Sequence, residues 1–253
     1  MNKKIWITGA SSGIGRSLAI KFANEGWKVA ASARRENLLK ELSNKYPNIE
    51  SFPLDVTDIN KCNSVFKEII EKFENIEICV FGTGIHDPES EKEFNLDKIK
   101  KIMEVNFFGV MNSINSVYSY YNGKKSGQIS IISSVAGYRG LPAAGAYCAS
   151  KSALTSFTES LHFEMKIKNV RVTLISPGFI KTPMTDQNDF PMPMIKSPEF
   201  AAEQIYIGLI KKKGFEIHFP KMFTFMMKII KILPNSIYFK LINFGNKFMK
   251  RDE

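Results

Sequence analysis

The sequence predicts an α/β fold in which one doubly wound parallel sheet carries helices on both faces. Short apolar runs typical of buried strands alternate with longer segments whose apolar residues recur at helical spacing. Strands that are regularly separated by helices form a parallel sheet with right-handed crossovers. A chain of 253 residues is long enough for one such sheet and its core, so we predict a single domain.

The predicted strands and helices alternate along most of the chain. Strands are predicted at 3–8, 27–33, 50–56, 76–81, 127–133, 170–175 and 216–219. Helices are predicted at 16–25, 36–45, 61–73, 96–121 as one helix or two, 149–168 and 198–211. Ligands of such sheets bind beyond the carboxyl ends of the strands, and we expect the site residues there.

The composition of the chain excludes disordered and collagen-like proteins, and its charge favours certain partners. Hydrophobic residues make up 44% of the chain and charged residues 24%, as in ordinary globular proteins. The three cysteines lack metal-ligand spacing and the three histidines are scattered, so we expect reduced thiols and no metal site. No apolar stretch long enough for a signal peptide precedes the first strand, which predicts a cytoplasmic protein. The net charge of +10 favours anionic partners.

A glycine-rich turn joins the first strand to the first helix. Gly9, Gly13 and Gly15 let the backbone approach a pyrophosphate, whose charge is stabilised by the helix N-terminus. Ser11 and Ser12 offer hydroxyl contacts in the same turn. The alternative is a glycine-rich turn that serves only the packing of strand against helix.

The residues after the second and third strands indicate which nucleotide would bind. A carboxylate at the tip of the second strand would accept a ribose hydroxyl, whereas a cation suits a 2′-phosphate. Arg34 and Arg35 stand there, and a guanidinium binds phosphate well, so the sequence favours NADP. The alternative is solvated arginines that do not discriminate. Asp55 and Val56 end the third strand beside the expected adenine, while Asp58 is equally suited to cap the next helix.

A tyrosine and a lysine form the candidate catalytic pair. Tyr147 and Lys151 are four residues apart at a helix start, so both side chains emerge on one face. A phenol has an ordinary pKa of about 10, and a neighbouring ammonium lowers that pKa toward neutrality. Without further residues the spacing would describe an ordinary helical pair.

Other polar residues are predicted to meet this pair at the same edge of the sheet. Ser134 follows the fifth strand, and Pro177, Gly178 and Thr182 follow the sixth. Asn106 is an uncharged polar residue in an apolar helix, and it needs hydrogen-bond partners if it is buried. The sequence therefore predicts one crevice that holds all of these groups.

Taken together, these motifs resemble the short-chain dehydrogenase/reductase family. The resemblance spans residues 1 to about 182 in the family's order, and it rests on these residues: Thr8, Gly9, Ala10, Ser11, Ser12, Gly13, Ile14, Gly15, Asn106, Ser134, Tyr147, Lys151, Pro177, Gly178 and Thr182. It implies a Rossmann-type fold, an NADP-preferring oxidoreductase that acts on a carbonyl or alcohol, and a homodimer or homotetramer. One departure is Phe81-Gly82-Thr83-Gly84, where the family typically has Asn-Asn-Ala-Gly; only the last glycine, Gly84, is kept as a cofactor contact.

The resemblance also implies a role for each catalytic residue. Tyr147 would be the acid/base, Lys151 would lower its pKa and hold the nicotinamide ribose, and Ser134 would orient the carbonyl. Asn106 would support a water in the proton relay, while Ile180 and Thr182 would contact the carboxamide.

Two segments beyond the motifs are open to more than one interpretation. Residues 182–198 contain four prolines among apolar residues and form either a mobile lid or a surface connection. Residues 221–251 carry seven Lys and Arg and no acidic residue among many aromatic and aliphatic side chains. This basic amphipathic segment either contacts a membrane peripherally or packs on the protein or a second subunit. Nucleic acid is not an expected partner.

The leading hypothesis is an NADPH-dependent reductase of an apolar or lipid-like carbonyl. Residues 1–220 would form the catalytic domain, and 221–253 would be a C-terminal extension of the same domain. The alternatives are a nucleotide-binding sensor and a peripheral membrane scaffold, both without turnover.

Overall fold

The computed structural model describes residues 3–87, 94–212 and 214–249. Its strands are β1 (Lys4–Thr8), β2 (Lys28–Ala33), β3 (Ile49–Pro53), β4 (Ile78–Phe81), β5 (Gln128–Ile132), β6 (Arg171–Pro177) and β7 (Glu216–Phe219). Its helices are α1 (Gly13–Asn24), α2 (Glu36–Lys45), α3 (Ile59–Phe73), α4 (Leu96–Met103), α5 (Gly109–Lys124), α6 (Gly145–Lys166), α7 (Pro198–Ile210), α8 (Lys221–Ile232) and α9 (Asn235–Met249).

The described strands form one parallel sheet with the order β3-β2-β1-β4-β5-β6-β7. This confirms the predicted doubly wound α/β fold. The direction of strand order reverses between β1 and β4, and ligands of open α/β sheets bind at such a switch point. Thr8 at the end of β1 lies in register with Ser32 of β2 and Phe81 of β4. The turns that follow these strands therefore lie side by side.

Each face of the sheet is covered by its own set of helices. Side chains of β1 alternate, so that Ile5 and Ile7 join the apolar layer of α1, α2 and α7, whereas Trp6 joins the layer of α3, α5 and α6. Leu39 and Leu42 of α2 are fully buried in the first layer, each contributing about 1.5–3 kcal/mol by leaving water. The two layers therefore cover both faces of the sheet.

Two helices begin three or four residues earlier than predicted, and α3 begins two residues earlier, at Ile59 rather than at 61. The first begins at Gly13 rather than at 16, and the sixth begins at Gly145 rather than at 149. Both starts contain glycine, which has a low helix propensity, so their helical state depends on tertiary packing. As a result Tyr147 lies in the first turn of α6.

The predicted helix at 96–121 is two helices. The π-helical turn Glu104–Phe108 joins α4 to α5. Such turns are rare and occur often at functional sites. This one contains Asn106, whose partners are described with the site.

The C-terminal segment packs one face of α8 on the domain. Phe223 and Met227 are buried in a small cluster with Val135 and Tyr138. None of the helices in the described part of the chain is both long and apolar enough to cross a membrane. The predicted extension runs to 253, and its last four residues, with the cations Lys250 and Arg251, lie outside the described residues.

Candidate active site

A cleft of about 430 Å³ opens at the carboxyl edge of the sheet. Most of the predicted site residues line this cleft: Gly9, Ser11, Ser12, Gly13, Ile14, Gly15, Arg34, Arg35, Gly84, Ser134, Tyr147, Lys151, Pro177, Gly178, Ile180 and Thr182. Asn106, Asp55 and Val56 are predicted site residues that do not line it. Among the described residues, no three His, Cys, Asp or Glu side chains come together as metal ligands.

The turn between β1 and α1 has the geometry of an anion cradle. Gly9 and Gly13 have φ values of +74° and +53°, which side chains rarely tolerate. A Cβ on Gly15 would lie 2.3 Å from the Gly9 carbonyl oxygen, so the turn closes only over glycine. Ser12 is the N-cap of α1, yet its side chain makes no capping hydrogen bond. The first amides of α1 are therefore available to a phosphate.

Arg35 is held against this turn by two serine hydroxyls. Its Nε and Nη2 donate to Oγ of Ser11 at 3.2 and 2.9 Å, and Nη2 also donates to Oγ of Ser12 at 2.6 Å. Arg34 lies exposed beside it. One guanidinium and two hydroxyls thus form a cluster suited to a phosphate monoester at the edge of the cradle.

Asp55 and Val56 lie beyond the end of β3, which stops at Pro53 rather than at 56. The Asp55 carboxylate accepts hydrogen bonds from the amide and hydroxyl of Thr57, at 3.0 and 2.8 Å, and this turn ends the strand. Asp55 lines a neighbouring cavity of about 440 Å³ together with Arg34. Asp58 caps α3 by accepting from the amide of Lys61, so the capping role belongs to Asp58.

Tyr147, Lys151 and Ser134 meet at the carboxyl end of β5. The Lys151 ammonium lies 5.7 Å from the centre of the Tyr147 ring and donates to the Ile132 carbonyl at 3.1 Å. Ser134 accepts from the amide of Ala136 at 3.1 Å, and its hydroxyl lies close enough to Tyr147 to lower the pKa of the phenol. The helical spacing of Tyr147 and Lys151, and the position of Ser134 at the end of β5, bring the three groups together.

Burial dominates the protonation of this pair. It raises the pKa of Tyr147 to about 12, against the smaller lowering effect of the hydrogen bond to Ser134. It lowers the pKa of Lys151 to about 8. The pKa of Tyr147 is thus displaced upward, opposite to the predicted direction, because desolvation outweighs stabilisation of the phenolate.

Asn106 braces the loop after β4 from below the cleft. It is fully buried, its Oδ1 accepts from the amide of Ile85 at 2.7 Å, and its Nδ2 donates to the Ile85 carbonyl at 2.9 Å. Nδ2 also donates to Oγ of Ser150 on α6 at 3.1 Å. Thr8 accepts from the amide of Gly82 at 3.2 Å. The loop after β4, which lacks the family's usual asparagines, is therefore held by two other sets of hydrogen bonds, one from Asn106 and one from Thr8.

Sequence comparison assigns the chain to a family. The family model described as short chain dehydrogenase matches residues 3–191, about three quarters of the chain. The chain belongs to the short-chain dehydrogenase/reductase family. It is therefore an oxidoreductase whose family binds a nicotinamide cofactor.

Individual relatives agree with this assignment. An uncharacterized oxidoreductase of Myxococcus xanthus is 31% identical over 236 residues, covering 92% of this chain and 93% of the relative. A 3-oxoacyl-[acyl-carrier-protein] reductase of Thermotoga maritima is 32% identical over 210 residues, covering 81% and 83%. The structure of a short-chain dehydrogenase from Streptomyces avermitilis superposes with a TM-score of 0.83 at 22% identity, covering 100% and 99%. Other structures of this fold hold NADP or NAD.

The cleft of this short-chain dehydrogenase/reductase includes residues that the sequence analysis missed. They are Ala33, Leu54, Gly82, Thr83, Ile85, His86, Ile132, Ser133, Pro183, Met184, Thr185 and Gln187. The ring of His86 lies 4.9 Å from that of Tyr147, although no histidine was predicted to belong to the site. The position of His86 shortly after β4 could have identified it, because residues that follow strand ends at this edge of the sheet face the crevice.

The buried ammonium of this dehydrogenase predicts a pH dependence of its stability. The pKa of Lys151 falls from an ordinary 10.5 to about 8 on folding. Between these values the unfolded chain binds more protons, so this lysine makes stability rise with pH, and below about 8 it destabilises by on the order of 3 kcal/mol. Urea denaturation of Lys151→Met and wild type should show a stability gap that changes between pH 8 and 10.5. A constant gap would contradict a buried, titrating Lys151.

Proposed function

We propose that this enzyme transfers hydride between NADPH and a carbonyl or alcohol in the cleft at the carboxyl edge of the sheet. One observation carries the proposal: the anion cradle of Gly9 to Gly15 and the group of Tyr147, Ser134 and Lys151 line the same cleft. A cofactor and a proton donor would therefore reach one substrate. Both parts are needed for a dehydrogenase, and neither alone would support one.

The residues of the cradle fit a dinucleotide with a 2′-phosphate. The glycine turn and the uncapped N-terminus of α1 would hold the pyrophosphate. The cluster of Arg35, Ser11 and Ser12 would hold the 2′-phosphate, and Arg34 would add charge beside it. In the described structure the guanidinium of Arg35 is hydrogen-bonded only to neutral hydroxyls. No acidic side chain of the described residues therefore competes with an incoming anion for this group. These features favour NADP over NAD.

We propose the following roles for the catalytic residues. The bound nicotinamide supplies the hydride. Tyr147 delivers the proton to the carbonyl oxygen, since a phenol with a pKa of about 12 holds its proton at neutral pH, as a donor in the reductive direction must. Ser134, which lies close enough to Tyr147 to lower its pKa, orients the same oxygen and stabilises its developing charge. Lys151 would hold the nicotinamide ribose, and Asn106 keeps the loop beside them in position.

The loop at 182–198 supports an apolar substrate. Its ends are joined by backbone hydrogen bonds that link Lys196 to Phe179 and Lys181, and Met184 lines the cleft. Phe190 and Met194 of the same loop are exposed. A substrate with an aliphatic or aromatic body would cover these side chains. We also propose that 221–253 extends the domain of 1–220, and that the chain forms a homodimer or homotetramer.

Arg35→Ala tests the choice of cofactor. Removing charge-assisted hydrogen bonds worth about 1.5–3 kcal/mol should raise the Kd of NADPH about 10- to 100-fold, while the Kd of NADH changes little. Fluorescence titration with each nucleotide measures both values. Arg16→Ala is the matched control, because Arg16 pairs with Glu41 on the surface and should change neither Kd. Equal losses for NADPH and NADH would refute the 2′-phosphate site, and no binding of either would refute the proposed function.

A further inference from the structure

We propose that the outer faces of α8 and α9 dock on a membrane surface that carries anionic lipids. We call these faces the tail surface. Its members are Met222, Phe225, Met226, Ile229 and Ile232 of α8, and Ile237, Leu241 and Phe244 of α9. Each of these side chains is between 44% and 79% exposed. The proposal concerns binding and stands independently of the catalytic function.

The apolar side chains of the tail surface are arranged by helical spacing. On α8, residues 222, 225, 226 and 229 recur at intervals of three and four, and so do residues 237, 241 and 244 on α9. Such residues form one stripe along a helix. Monomeric soluble proteins rarely leave large apolar patches in water without a partner. The tail surface thus has the form of an interface.

The opposite face of α8 and a neighbouring side of α9 are fixed to the domain. Phe223, Thr224 and Met227 of α8 are buried, and Tyr238 of α9 is buried with its hydroxyl donating to the Gly140 carbonyl. Arg139 donates to the carbonyls of Lys231 and Leu233 at 3.0 and 2.6 Å. The outer side chains of α8 therefore point away from the part of the domain that the structure describes.

The charge around the tail surface suits an anionic partner. Lys221, Lys231 and Lys240 are exposed, and no acidic residue occurs between 221 and 251. Partial burial and the nearby charges of Lys212 and Lys228 lower the pKa of Lys221, so these cations repel one another. Anionic headgroups would relieve that repulsion, and lysines near such a surface favour binding.

A bilayer fits this surface better than a second copy of the chain. A two-fold interface would place the same patch on both subunits, and the lysines of one copy would then face those of the other. An amphipathic helix with apolar residues on one face and lysines beside them is typical of the interface of an anionic membrane. We therefore commit to the lipid surface as the occupant.

The inner face of α8, opposite the tail surface, lies beside the cleft. The ring of Phe179 lies 5.5 Å from that of Phe223 on α8 and 6.0 Å from that of Phe190 in the loop 182–198. A Cβ on Gly178, which lines the cleft, would lie 2.7 Å from Phe223. If the proposed apolar substrate is correct, docking would bring the cleft close to substrates dissolved in the bilayer.

Vesicle co-sedimentation of the full chain tests the proposal. Vesicles of phosphatidylglycerol and phosphatidylcholine in roughly equal parts should pellet the wild type, and high salt should weaken binding. Phe225→Glu with Ile229→Glu should lower the partition coefficient at least about 30-fold. The control carries Phe163→Glu on α6 and Ile167→Glu at its C-cap, two residues that are 71% and 89% exposed, and it should bind like the wild type.

The charge of the lipid and the state of assembly complete the test. Lys231→Gln with Lys240→Gln should weaken binding about 10-fold to the anionic vesicles, and pure phosphatidylcholine vesicles should bind the wild type weakly. Failure of the wild type to pellet, or equal binding by the Phe225→Glu/Ile229→Glu variant, would overturn the proposal. A wild-type dimer that this variant dissociates, with no vesicle binding, would assign the surface to a second copy. Nucleotide titration of each variant reports folding and the catalytic proposal separately.

Discussion

Tyr147→Phe is expected to lower kcat by about a hundred- to ten-thousand-fold, the range that a positioned general acid contributes. The variant loses the hydroxyl that would protonate the carbonyl oxygen, while its ring keeps the contacts with His86 and Lys151. The Kd of NADPH should therefore change by less than about threefold, since the change removes an interaction of the transition state. The measurement is NADPH oxidation with a panel of apolar aldehydes and ketones, alongside fluorescence titration of the cofactor.

Tyr118→Phe is the control for this experiment. It removes a hydroxyl that accepts from Lys168 at 2.8 Å outside the cleft, so turnover should stay at the wild-type value. A folded Tyr147→Phe variant with nearly full activity would exclude Tyr147 as the proton donor. Loss of NADPH binding in the same variant would instead give Tyr147 a role in holding the cofactor.

Gly15→Ala is expected to weaken NADPH binding about 10- to 100-fold. The new methyl group would lie 2.3 Å from the carbonyl oxygen of Gly9 and 3.2 Å from the amide nitrogen of Ala10. Both neighbours are backbone atoms, so the turn has to open, and overpacking of this kind costs about 1–3 kcal/mol. The shift moves the amides of the cradle away from the pyrophosphate. Nucleotide titration and thermal unfolding should both report the change.

Gly123→Ala is the matched control for the same substitution. Gly123 is an exposed residue of α5 with nothing within 4 Å of an added Cβ, so nucleotide affinity should not change, and stability should rise by up to about 1 kcal/mol. Wild-type NADPH affinity in Gly15→Ala would show that the turn serves packing alone. The cradle would then have to be sought elsewhere in the cleft.

Local patterns predicted much of the fold and of the site. The alternation of apolar runs with helical periodicity identified all seven described strands, because burial in a parallel sheet demands such runs. The spacing of Tyr147 and Lys151 predicted their shared helix face, since four residues are about one turn. Their positions after strand ends then predicted the common cleft. The starts of the helices at Gly13 and Gly145 were predicted too late, because glycine has a low helix propensity.

Contacts between distant segments were decided only in three dimensions. Three sets of contacts join residues that are 21 to 61 positions apart in the sequence. Asn106 pairs with Ile85 and Ser150, His86 approaches Tyr147, and Arg35 contacts two serines. The direction of the Tyr147 pKa likewise depends on how deeply packing buries the phenol. Packing also gave α8 a buried inner face and an exposed outer face. Periodicity encodes what each segment tends to form, whereas desolvation and long-range contacts arise only when the segments meet.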